Sequence, residues 1–149
     1  MANATKLPTL AEFAYYQFSR KGAPAPKLAA PLSALTTDTS VRFTLPLLDE
    51  DGVVVTKAFL LGIKKANGWV ETCYCAAGSL SADGLTATVV RGIDPGGLDY
   101  SAGSASFADS HLQDEPVFCN IPAQIMALLT AALQGTIATG GAGFTIGTD

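Results

Sequence analysis

Residues 41–47, VRFTLPL, place Val41, Phe43, Leu45 and Leu47 on one side, the period-two alternation of a half-buried strand. An Asp51-Gly52 turn follows, and residues 53–65, VVVTKAFLLGIKK, continue as strand, with Gly62 expected to mark a bulge or bend. Asn67-Gly68 is a second hairpin signal, and residues 69–77, WVETCYCAA, form the return strand. Ser81-Ala82-Asp83-Gly84 turns again before residues 85–91, LTATVVR. Short strands separated by turns at close intervals predict an antiparallel meander. A further short strand is expected over 116–121, PVFCNI.

The two ends read differently. Leu10, Phe13, Ala14 and Phe18 fall near helical spacing, which predicts a short helix. Pro24, Pro26 and Pro31 then break any packed element, so residues 1–40 are expected to form an extended arm lying on a neighbouring subunit. From residue 122 the chain predicts its clearest helix, with Asn120 as N-cap, Pro122 in the first turn and Gly135 as the stop. Ile125, Leu128, Leu129 and Leu133 form its apolar stripe, the expected assembly surface. The fold class expected is mainly β (α+β): an antiparallel meander or sandwich over 41–121, an arm over 1–40, and a helix with a glycine-rich tail over 122–149.

Composition adds a reason to expect assembly. Hydrophobic residues make up 48% of the 149-residue chain and charged residues 15%, against about 25% in an ordinary domain. Between Pro116 and Thr148 there is no Asp, Glu, Lys or Arg. Apolar surface of this extent needs cover, and other copies of the chain are the expected cover. A net charge of −4 without clustered Lys and Arg argues against nucleic acid as a partner. No run approaches the roughly 20 apolar residues of a membrane span, and no secretory signal is expected from the opening residues. Cys73, Cys75 and Cys119 are an odd set in which the first two share one strand face; buried thiols in a reducing cytoplasm are expected, and with a single histidine no metal site.

Residues 90–111, VRGIDPGGLDYSAGSASFADSH, hold the remaining candidate chemistry. Catalysis would have to recruit His111, and no Gly-x-Ser-x-Gly elbow accompanies it. The loop lacks the Gly-Lys-Ser/Thr of a phosphate cradle and carries Asp94 and Asp99, which repel phosphate. No cofactor and no enzymatic activity are expected. The reading that remains is a long ordered loop pinned at its ends by Arg91 and His111, with a tight turn at Asp94-Pro95-Gly96-Gly97.

Arg91-Gly92-Ile93-Asp94, a small-residue loop and then His111 resemble a recurring module of tailed-bacteriophage virion proteins, found in tail fibres and in decoration or baseplate-attached proteins. The resemblance spans roughly residues 41–120. It implies a structural role in the virion after synthesis in the host cytoplasm, with Arg91, Gly92, Asp94 and His111 as loop anchors. Partners so implied are the chain itself, with a trimer as first expectation, and other virion proteins. The alternative is a carbohydrate- or receptor-binding module of a phage tail, with Trp69, Tyr74 and Tyr100 stacking on a host surface glycan.

Overall fold

In a computed structural model, which describes residues 14–95 and 100–120 together with Met126, Thr130, Leu133 and Gln134, the chain is mainly β. Its strands are β1 (Ser40–Arg42), β2 (Phe59–Lys64), β3 (Val70–Cys75), β4 (Thr86–Thr88) and β5 (Val117–Cys119). Among the described residues they make two antiparallel sheets, ordered β1-β4 and β3-β2-β5. The expected meander is therefore corrected. Only β2 and β3 pair as sequence neighbours, while β5 returns from the far side of the long loop to take the other edge of β2.

The β2–β3 hairpin forms where Asn67-Gly68 predicts it. Gly68 sits at φ +90, Lys65 N–H donates to Trp69 O at 2.8 Å, and Asn67 Oδ1 accepts from Trp69 N–H at 2.9 Å. Gly62 is not a bulge. It lies in register opposite Phe118, and a Cβ there would come within 2.6 Å of the Phe118 ring. The missing side chain lets an aromatic ring from β5 cover the strand.

The main core gathers Val41 and Ala87 from one sheet with Leu61, Ile63, Cys73, Cys75, Val117 and Cys119 from the other. Beyond β4 the chain leaves β1 and crosses to β3: Val89 N–H donates to Thr39 O, then Val90 and Tyr74 exchange both backbone bonds at 2.9 Å. Ile93 N–H next reaches Thr72 O at 2.9 Å. This crossing carries Arg91 onto the main-core side of β3, alongside Glu71. On the opposite side Leu60, Ile93 and Tyr100 form a second, smaller core.

Leu10 and Phe13 of the expected short helix lie outside the described residues. Where the stretch is described, residues 14–20 are not helical, with Tyr16 and Phe18 turned toward Phe59 while Tyr15 faces solvent. The proline-rich stretch, expected as an extended arm, is seated on its own chain. Leu28 and Leu32 are buried in the chain's own core. Leu28 bridges Phe43, and Leu32 and His111 exchange backbone bonds at 3.0 and 2.9 Å. Each proline lacks an N–H and so breaks regular strand, but Lys27, Leu28, Ala29 and Leu32 between and beside them still make scattered ladder bonds.

Of the predicted C-terminal helix, the four described residues have helical backbone, and Thr130 Oγ1 donates to Met126 O at 2.8 Å. Its other positions, Ile125, Leu128 and Leu129 among them, lie outside the described residues, as do residues 1–13, 96–99 and the glycine-rich tail.

Candidate functional site

Glu71 stands at the centre of the most concentrated polar cluster among the described residues. It shares a β3 face with Cys73 and Cys75, so strand alternation turns it inward, and it has no solvent exposure. An inward carboxylate must be paired. Arg91 supplies the pair, through Nε to Oε2 at 2.7 Å and Nη2 to Oε1 at 2.9 Å. The backbone N–H groups of Gly92 and Asp109 add bonds at 3.0 and 2.9 Å. His111 Nε2 lies 2.8 Å from Oε1. Both oxygens are thereby saturated with donors.

Burial pushes the Glu71 carboxyl up, but hydrogen bonds from His111, Arg91 and the Asp109 N–H, with the Arg91 charge, hold it down at about 2. Arg91 is likewise buried. Desolvation lowers its proton affinity, and its bond to Glu71 more than restores it. The remaining guanidinium donors go to backbone carbonyls: Nη1 to Asp38 O at 2.9 Å, and Nη2 to Ser33 O at 3.1 Å and Asp109 O at 2.7 Å.

His111 bridges two carboxylates. Its Nδ1 lies 2.7 Å from Glu115 Oε1, whose other oxygen accepts from Leu112 N–H at 3.0 Å. Each ring nitrogen thus faces a carboxylate oxygen, one of Glu71 and one of Glu115.

The cluster joins three pieces of chain. Arg91 and Gly92 open the long loop, Asp109 and His111 close it, and Ser33 and Asp38 belong to the proline-rich stretch. Outside, Lys65 Nζ binds Asp109 Oδ2 at 2.9 Å and Ser110 O at 2.8 Å, and holds the Asp109 carboxyl below its usual range. Backbone contact seals the loop: Gly92 has φ +64, and a Cβ there would meet Ser104 O at 2.3 Å. A Cβ on Gly103 would fall 1.4 Å from Arg91 O.

Of the residues singled out from sequence, Arg91, Gly92 and His111 meet in this cluster. Asp94 is exposed at the loop's edge. Tyr100 is corrected as a ligand-stacking residue: it is buried, it stacks on Tyr74 with centroids 5.7 Å apart, and burial pushes its hydroxyl up to about 12. Trp69, at 38% exposure on the hairpin, stays open to solvent. The cysteines are buried free thiols, with burial pushing Cys75 up to about 12 and Cys119 to about 11, well away from a reactive thiolate. Glu71 and Glu115, which complete the cluster, were not among the sequence candidates.

The cluster sets the direction of an acid response. Glu71 titrates at about 2 in the folded chain, below its ordinary 4.5, so the unfolded chain binds the extra proton first. Its stabilisation is whole above 4.5 and is lost as pH falls toward 2, a loss of about 3 kcal/mol at ~1.4 kcal/mol per tenfold. Urea midpoints followed downward through that window are expected to fall accordingly; a flat midpoint would contradict the pairing.

Among the described residues no helix is long and apolar enough to cross a membrane, and no group of His, Cys, Asp or Glu is placed to hold a metal ion. A scan against family models found no match to the chain, and comparisons with curated proteins and with solved structures found none either.

Proposed function

We propose that this chain is a structural subunit of a tailed-bacteriophage particle, a decoration, fibre or tail-attached component that works by assembling with copies of itself and with other virion proteins. The observation that carries the reading is how the Arg91–His111 loop is held. Its most reactive side chains are sealed from solvent, and their nitrogens are spent on Glu71, on Glu115 and on backbone carbonyls at residues 33, 38 and 109. That is the chemistry of a clamp. It agrees with the resemblance carried by Arg91-Gly92-Ile93-Asp94 and His111, and the shortage of charged residues suits a subunit that buries surface against neighbours.

The test is the native mass of the purified chain over a range of concentrations. A closed oligomer that persists on dilution is the expected result, its copy number giving the symmetry. A monomer at every concentration would sink self-assembly and move receptor binding to first place, where the exposed Trp69 is the group to examine. On that second reading Trp69→Ala abolishes binding on a glycan array and leaves folding intact.

A further inference from the structure

Met126, Thr130, Leu133 and Gln134 are helical and exposed, and separations of four, seven and eight residues put them on one side of a helix. Met126 is 49% and Leu133 43% exposed, high values for large apolar side chains two turns apart. Between them Thr130 spends its hydroxyl proton on Met126 O, so its polar group is already satisfied. Apart from Gln134 the described side of the helix is thus effectively apolar, and the described residues leave Met126 and Leu133 uncovered.

We infer that this face packs against the same face of a second copy of the chain, an inference that rests on the assembly reading above. Charge selects the partner. No Asp, Glu, Lys or Arg occurs from Pro116 to Thr148, so two copies meet with no charge buried unpaired and no like charges opposed. A nucleic acid, or a strongly acidic or basic protein, finds no counter-charge there. The seven-residue step from Met126 to Leu133 is the repeat by which helices pair along a seam.

Position agrees. Before the helix, Asn120 N–H donates to Leu60 O, Cys119 Sγ lies 3.9 Å from Ala14 O, and Ala14 N–H donates to Ala58 O. Both ends of the β region therefore leave beside the Phe59 end of β2. The hairpin bearing Trp69 follows the opposite end, at Lys64.

The experiment compares the full-length chain with the Met126→Glu/Leu133→Glu double variant by native mass across concentration, with Leu35→Glu/Leu112→Glu as a control of exposed residues elsewhere. The expected result is an oligomer for the parent and the control, and for the double variant a dissociation concentration raised at least ~100-fold by unpaired charges at the seam. An oligomer unchanged in the double variant would overturn the helix pairing while leaving assembly standing. A monomeric parent would overturn both. A monomeric parent in which only the double variant is cut at Lys6 by trypsin would assign the face to the chain's own N-terminal residues. Should the double variant fail to fold, Leu133→Cys settles the matter: oxidation is expected to give a covalent dimer, and its absence would overturn the pairing.

Discussion

Glu71→Gln is expected to cost about 4 kcal/mol, the typical penalty for leaving a buried charge without its partner. Against a total stability of roughly 5–15 kcal/mol, that is between about a quarter and most of what holds the chain folded. The size follows from the donors. Arg91 Nε and Gly92 N–H point at one carboxylate oxygen, and Arg91 Nη2, Asp109 N–H and His111 Nε2 at the other. Either orientation of a glutamine amide sets its NH2 against donors, so the substitution removes the charge and adds a clash of like groups. Arg91→Lys is expected to lose nearly as much. One ammonium cannot reach Glu71 and the carbonyls of Ser33, Asp38 and Asp109 together. Urea unfolding at neutral pH measures both. A loss below about 1 kcal/mol in either would mean that the cluster is solvated and the clamp is not what holds the loop.

Gly103→Ala is expected to do comparable damage with no change of charge. Its methyl would fall 1.4 Å from Arg91 O, a backbone atom that no rotamer change can move away. Either the loop lifts off the β3 side or Arg91 is dragged from Glu71. Overpacking that displaces backbone costs about 3 kcal/mol at the upper end of its usual range. The informative comparison is Gly78→Ala, where a Cβ meets nothing within 4 Å. Its φ of +81 leaves only the strain of a left-handed residue, about 1 kcal/mol. Equal losses at the two positions would deny the close approach at Gly103. Thermal unfolding followed by near-ultraviolet circular dichroism compares them.

Local signals in the sequence specify structure where they are dense. Asn67-Gly68 joins β2 to β3, and the shared face of Cys73 and Cys75 does enter the core. What local pattern does not carry is which strand pairs with which. Nothing within residues 116–121 says that Val117–Cys119 will pair with β2 and complete its edge. The proline-rich stretch misled for a physical reason. Prolines read as linker, while the apolar Leu28 and Leu32 that seat the stretch are too sparse to make a periodic pattern. At Gly62 the signal was ambiguous, because a bulge and an overlying ring both call for a missing side chain, and the ring of Phe118 decided it. Arg91 and His111 stood out by rarity. Glu71 could have been found by alternation, since a charge two residues before Cys73 on a core face demands a buried cation, and Arg91 ends the next apolar strand.

The bridges of Lys27 to Pro116 and Leu32 to His111 tie the first part of the β region to its last. During synthesis Leu28 and Leu32 emerge long before their partners. They must wait, uncovered, until residues 111–119 clear the ribosome. The β2–β3 hairpin can form meanwhile, since its pairings are local. Closure of the core cannot. The final stretch of the β region thus acts as a latch, and a ribosome that stalls before His111 leaves a nascent chain with its hydrophobic flank open to chaperones and proteases.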